Sequence, residues 1–436
     1  MRASAWKYRI LWLVASLSML IIFVMPFHAF LTVWGSSLIG HYTALRLWKE
    51  ALLVICGAGA FYLVITDGKV RFHTLTRKLA WLVLFYIVLN VGWGLVAFHQ
   101  HTLTAKALGY GLIVNLRFLI FFLVTWAVAL RTSRLRNSWQ WLVLIPAAIV
   151  VVFGLLEVVL PANFLNHFGY GPHTIQPYET INHNLDYRRI LSTLRGSNPL
   201  GAYMVIPISV LTGLIISGKR SWPFITLFAA SWLTLFFSFS RSAWIGAILA
   251  VIAICIQLLD KRHLKPALII VSSFIVVLAL VVGLEWHNAR FQNYFFHTQE
   301  HSAVKSTSDE QHASALKQGV HDIVHQPFGR GPGSAGPASI YNKNQPRIAE
   351  NYYIQIGQET GWVGLILFLL INAGVGYLLW IRRRDPLAVM LYGSLIGISF
   401  INLLSHAWAD DTLAYIWWGL AGVAMVPPKE HEQHKR

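Results

Sequence analysis

The sequence predicts an all-α polytopic membrane protein of about twelve transmembrane helices, with a large extracytoplasmic loop element between the ninth and tenth. Three observations carry that prediction. Charged side chains are 12% of 436 residues, against about 25% in soluble domains. The hydrophobic class is 56% and the mean hydropathy +0.55, more apolar surface than a water-soluble fold of this size hides. Apolar stretches of bilayer-crossing length, roughly 17–25 residues, recur along the whole chain. A soluble enzyme, a secreted disulfide scaffold and a disordered chain are excluded.

The apolar stretches lie near 10–30, 45–66, 79–98, 108–130, 138–160, 200–217, 222–239, 242–259, 266–284, 361–381, 386–405 and 412–427. The first follows Arg2, Lys7 and Arg9 and has no small-residue cleavage site, so it reads as a retained span. Placing the N-terminus inside puts 21 of the 35 Lys and Arg on cytoplasmic segments: around Arg2–Arg9, Lys69–Lys78, Arg131–Arg136, Lys219–Arg220, Lys261–Lys265, Arg382–Arg384 and Lys429–Arg436. Every even connection is then short and basic, as the positive-inside rule requires, and both termini are cytoplasmic. The net charge of +17 is thereby a topology signal, and no nucleic-acid partner is expected. Cys56 and Cys255 lie within apolar runs and read as small buried residues.

The expected organisation is helices one to nine over 1–284 with an outer loop at 161–199, an extracytoplasmic element over 285–360, helices ten to twelve over 361–427, and a cytoplasmic tail over 428–436. A structureless loop as long as 285–360 is unusual, so part of it should fold. Ser308 to His325 reads as a helix with Ser308 at its N-cap, broken by the Pro/Gly-rich stretch from Pro327 to Pro337.

The basic residues left over from the topology carry the chemistry. Arg241, in Phe237-Ser-Phe-Ser-Arg-Ser-Ala-Trp244, is the charged tip of an outer hairpin between spans seven and eight. It reads as an anion clamp, or as an arginine snorkelling to the interface. Arg117 lies with Asn115 in the outer half of span four and needs a partner from another span. Arg46 and Glu50 begin span two at i,i+4 spacing and can pair on one helical face. Arg188, Arg189 and Arg195 crowd the mouth of span six, and guanidinium suits bidentate phosphate recognition; solvated loop charge is the alternative. Glu350, beside Arg347 and Asn351, stands just above the membrane as a candidate general base or a surface glutamate. His321-Asp-Ile-Val-His325 lacks the glutamate and third ligand of a zinc site. Gly329-Arg-Gly-Pro-Gly333 lacks the Lys-Ser/Thr of a phosphate loop. Neither a metal nor another cofactor is expected.

These pieces in this order resemble the bacterial O-antigen ligase and O-antigen polymerase superfamily. Its signature is a histidine, then Asn, Ser or Gln, nine residues and G-x-x-G. Glu350-Asn351, residues 352–360 and Gly361-x-x-Gly364 match that spacing, with glutamate in the histidine position. Ser240-Arg241-Ser-Ala-Trp-Ile245 is similar to the family's R-x-x-x-L element with Ile for Leu, and Arg189-x-x-Ser-Thr-Leu…Asn198-x-x-Gly201 is similar to a third. The resemblance implies a GT-C-like, metal-independent, inverting glycosyltransferase of the bacterial plasma (inner) membrane. Its partners would be an undecaprenyl-diphosphate-linked glycan donor and a glycan acceptor at an extracytoplasmic site, with the lipid bilayer around them. It implies Glu350 as base, Arg189 and Arg241 on the diphosphate, and Arg195, Arg347, Asn351 and Arg117 on substrate. A surface-polysaccharide polymerase and a ligase both fit. A lipid-linked oligosaccharide flippase is the rival reading; the chain lacks the matching halves expected of a transporter.

Overall fold

The computed structural model describes residues 2–181, 184–260, 284, 308–343 and 345–428. Helices α1 (Arg2–Val24) and α2 (His28–Ile39) flank a 3-10 turn at Met25–Phe27; α3 (Tyr42–Leu45), α4 (Trp48–Thr66), α5 (Gly68–Thr76), α6 (Lys78–His99), α7 (Ala105–Ala129) and α8 (Arg134–Val159) follow. A hairpin of β1 (Glu179–Ile181) and antiparallel β2 (Asn184–Arg189) precedes α9 (Ser197–Ile216), α10 (Trp222–Phe237) and α11 (Arg241–Leu258). Then come α12 (Ser308–His325), α13 (Tyr352–Trp380), α14 (Pro386–Asn402) and α15 (Asp411–Ala424).

Among the described residues, eight helical stretches are long and apolar enough to cross a membrane. The expected spans at 222–239, 386–405 and 412–427 fall on the shorter helices α10, α14 and α15 of 16, 17 and 14 residues. The expected ninth span, 266–284, lies outside the described residues apart from Leu284. The first span runs from Ala5 to Ile39, well past residue 30. Pro26 breaks the α-helical hydrogen-bond pattern, but the single 3-10 turn absorbs it and the helix resumes.

The folded part of the long outer element begins as read, with α12 at Ser308–His325. The boundary at 361 moves: α13 begins at Tyr352, capped by Asn351, and Gly361 is a kink inside it with φ 64° and ψ −164°. That conformation is open only to glycine at little cost. A Cβ on Gly361 would also stand 2.0 Å from the Pro327 carbonyl oxygen. The kink lets the glycine-rich strip lie against α13. Trp362 N donates to Pro327 O (3.0 Å), Arg330 N to Gln358 O (3.0 Å) and Gly331 N to Glu359 O (2.8 Å). The buried Glu359 carboxylate accepts from Gly333 N (2.8 Å) and Asn115 Nδ2 (2.6 Å), so the strip is pinned to α7 as well.

Charged ends sort to two sides. At one, Lys7 and Arg131 meet Asp67 at 2.7 and 2.5 Å, Arg136 meets Asp385 at 2.7 Å, and Arg382 donates to the Ala424 carbonyl. These are basic segments assigned above to one face. At the other lie the Arg117, Arg195 and Asn351 contacts described below. The core between them centres on α15, packed on α7 through Trp418 and Tyr415 against Phe118, Phe121 and Phe122.

Burial alone would raise the Asp67 carboxyl, but hydrogen bonds from Arg131, Lys7 and Val70 N outweigh it and hold the group below the ordinary carboxylate range. A depressed folded value stabilises above the unfolded value, about 4. In detergent, Asp67→Asn should unfold at lower temperature than wild type, by a gap constant from pH 7 to about 4 and closing below that. A gap unchanged at pH 3 would mean the tie is not ionic.

Candidate active site

At the second end one buried carboxylate joins four apolar segments. Asp411 Oδ2, at the start of α15, lies 3.1 Å from Lys49 Nζ of α4, 3.4 Å from His28 Nε2 of α2 and 3.8 Å from Arg117 Nη1 of α7. Trp48 Nε1 donates to His28 Nδ1 at 2.8 Å, which leaves the ring proton on Nε2, facing Asp411. Arg117 finds its partners in other spans: Nη2 donates to Ala409 O at 2.7 Å and Nη1 lies 3.5 Å from Glu50 Oε1. The expected Arg46–Glu50 pair does not form. Helix α4 starts at Trp48, so Arg46 precedes it and i,i+4 spacing no longer shares a face. Arg46 lies over the Tyr42 ring at 5.7 Å, and Glu50 pairs with Lys49 at 3.2 Å.

Above this network is a cavity of about 220 Å³ lined by Arg46, Lys49, Arg117 and Arg195 with Glu50 and Asp411. Its roof is the 3-10 turn Gly336–Tyr341 of the outer element. Thr104 Oγ1 donates to Tyr341 O (2.8 Å) and Thr104 N to Asn342 Oδ1 (3.2 Å), fixing the roof to the start of α7, while Asn342 Nδ2 donates to Gly333 O (2.8 Å) of the strip. Arg195 lies 3.6 Å from Asp410. Burial pushes Asp410 above the ordinary carboxylate range; Arg195 opposes this and the Asp411 carboxylate adds to it.

Arg189 and Arg241 form a second basic group. Arg189 ends β2 opposite Glu179; its Nε donates to Ser238 O (3.0 Å) and its Nη2 to Asn198 Oδ1 (2.6 Å). Burial lowers the Arg189 guanidinium; Glu179 opposes this and the Arg241 charge adds to it. Two guanidinium groups are therefore within electrostatic reach of one another, an arrangement that an anion relieves. Glu179 is engaged by Ser197, through N at 3.2 Å and Oγ. Arg188 donates to the Leu160 carbonyl at 2.7 Å, closing the end of α8.

Glu350 is exposed and holds φ 50°. Asn351 is engaged structurally: Oδ1 accepts from Ile354 N (3.0 Å) and Nδ2 donates to Leu403 O (2.9 Å). Arg347 reaches α12, with Nη1 donating to Gln326 Oε1 (3.2 Å) and Nη2 3.6 Å from Asp322. Burial lowers Arg347; Asp322 opposes this and Arg330 adds to it. Among the described residues, the non-glycine residues with left-handed backbone are His41, His101, Ser192, Phe239 and Glu350. All lie at this end; Ser192 and Glu350 fall inside two of the motif segments, and Phe239 directly precedes the third. Such conformations cost of order 1–3 kcal/mol and cluster where function demands them.

The structure thus joins Arg117 to Arg195 through one cavity and Arg189 to Arg241 through their charges. Glu350, Arg189 and Arg241 are not among the cavity's lining residues. His321 and His325 stack at 3.9 Å on an exposed face while Asp322 turns away to Gln358 at 2.8 Å. Among the described residues no three His, Cys, Asp or Glu gather as a metal site. Sequence reasoning missed the Asp410-Asp411 doublet, whose signal was a pair of acids at the head of an apolar run. It also passed over Glu359, a lone carboxylate between the signature's asparagine and its first glycine.

Residues 226–369 match the family model described as O-antigen ligase. No curated protein matches the chain. The matched stretch takes in most of α10, then α11, α12, the glycine-rich strip and the first part of α13, with Arg241, Arg347, Glu350 and Asn351. That stretch is similar to O-antigen ligases, and the apolar helices of bilayer-crossing length fit a polytopic membrane protein.

Replacing Asp411 leaves Lys49 and Arg117 buried with too little opposite charge, a loss of about 3–5 kcal/mol. Asp411→Ala should therefore lower the unfolding temperature in detergent strongly, while Glu350→Gln, at an exposed position, stays within about 0.5 kcal/mol of wild type. Equal melting of the two variants would contradict this account of the network.

Proposed function

We propose that the enzyme transfers a glycan from undecaprenyl diphosphate to a hydroxyl of an acceptor glycan on the outer side of the plasma membrane, without a metal and with inversion. The carrying observation is that Arg189, bonded to the Ser238 carbonyl three residues before Arg241, feels the Arg241 charge, at the end of the molecule where the motif segments collect. The basic connections at the opposite end support a cytoplasmic placement for that side and for both termini.

In this reading the diphosphate lies against Arg189 and Arg241, whose fixed guanidinium groups stabilise the charge that develops as it leaves. The acceptor oxygen attacks the anomeric carbon, its proton passes to the Glu350 carboxylate, and the bond from that carbon to the phosphate oxygen breaks with its electron pair on undecaprenyl diphosphate. Attack opposite the leaving group inverts the configuration. Asn351 and Arg347 act at one remove, one capping α13 directly after Glu350 and the other tying the preceding loop to α12. Arg195 and Arg117 border the neighbouring cavity and extend the basic surface. A polymerase and a ligase differ in the acceptor and share this step.

Purified protein given an undecaprenyl-diphosphate-linked glycan and acceptor should release free undecaprenyl diphosphate. Glu350→Gln should slow release about 10²–10⁴-fold, and Arg241→Gln should weaken donor use about ten- to a hundredfold. Transport of the intact lipid without cleavage would favour a flippase. Undiminished turnover of Glu350→Gln would remove that residue from the mechanism.

A further inference from the structure

The cavity under the Gly336–Tyr341 turn holds a charge imbalance that the transfer step does not use. Four basic groups, Arg46, Lys49, Arg117 and Arg195, line it. They face three carboxylates: Glu50 and Asp411 in the lining, and Asp410 at 3.6 Å from Arg195. One positive charge is left over, before Lys106, which lies 4.1 Å over the Tyr341 ring on the roof, is counted. The surplus is focused on two side chains. Lys49 and Arg117 are held by Asp411 and Glu50. Arg46 has no carboxylate within ion-pair distance among the described residues, and Arg195 is about half exposed, at 48%. A second sign is Arg117 itself: it is only 7% exposed, it lines the cavity, and its Nε is buried with no hydrogen-bond partner. A buried donor left unmade costs roughly 1–3 kcal/mol.

We propose that this cavity is an oxyanion subsite that takes a carboxylate or phosphate substituent carried by the glycan substrate, separate from the diphosphate held by Arg189 and Arg241. It rests on the transferase reading for its source of glycan. The volume, about 220 Å³, equals about seven waters at their liquid share. That suits one charged sugar unit. The roof supplies Tyr341, its ring 4.7 Å from that of Tyr110, and both rings border the cavity with an apolar surface beside the charge. Arg46 and Arg195 approach from separate segments, so a carboxylate or phosphate between them accepts charge-assisted bonds from both sides. A neutral sugar gains none of this, and selectivity for acidic glycans follows.

The test is a calorimetric titration of the detergent-purified protein with glucuronic acid, glucose 6-phosphate and glucose, with no donor present. The acidic sugars should bind at least about tenfold more tightly than glucose, and Arg46→Gln should cost about tenfold on the acidic sugars alone, one charge-assisted bond. Arg46→Lys should keep part of the preference, because it keeps charge and loses the fork. Equal binding of glucose and glucuronic acid, or full acidic preference in Arg46→Gln, overturns the proposal. So does a protein that ignores the sugars yet retains phosphatidylglycerol over phosphatidylcholine in an Arg46-dependent way by native mass spectrometry, since the site then serves a lipid headgroup. Because no turnover is read, failure here is distinct from failure of the transferase reading, which the release of undecaprenyl diphosphate decides.

Discussion

Burying a lysine and an arginine among apolar helices is tolerated only where opposite charge is buried with them. Asp411 meets that constraint for this end of the molecule. Its carboxylate draws Lys49, Arg117 and His28 to one point, fixing how α2, α4, α7 and α15 approach one another. Because α15 carries it, and because α15 is buried along its length, the network and the aromatic core beneath it form one unit. The cavity is what remains above that unit once the outer element is laid across it.

The outer element is held by backbone geometry. Glu359 and the Gly361 kink anchor the glycine-rich strip, and the strip carries the roof of the cavity. The signature spacing has a physical meaning here. From the Asn351 cap to Gly361 there are ten residues, about 15 Å of helix. That length sets where the strip docks relative to the residue just before the cap. Glu350 occupies that place in a left-handed conformation. The motif therefore reads as a cap, a length of helix and a kink, with the proposed base at its outer end.

Much of the fold was legible because composition and charge alternation act over whole segments. The length of the apolar runs marked where long helices lie, eight of them of bilayer-crossing length among the described residues, and the basic connections predicted which helix ends meet, as Lys7, Arg131 and Asp67 do. Helix α12 was readable from the serine at its start and the proline that follows it. Span ends were less so. A proline inside a 3-10 turn let the first span run on to Ile39, and a kinked glycine looked like the start of a helix that begins at Tyr352. In the site, Arg189, Arg241, Arg195 and Arg117 stood out because each is a charge that topology does not need. Arg46 was mispaired because its helix starts two residues later than the spacing assumed. Asp410 and Asp411 were overlooked because their partners come from positions hundreds of residues away, which no local pattern encodes.

The proposed mechanism depends on a lipid diphosphate held jointly by Arg189 and Arg241. A cryo-electron microscopy map of the protein in nanodiscs with undecaprenyl diphosphate tests it most directly. The account predicts headgroup density within hydrogen-bond reach of both guanidinium groups, on the side of the molecule that carries Glu350. Headgroup density at the opposite end, beside Arg382, Arg383 and Arg384, would contradict it.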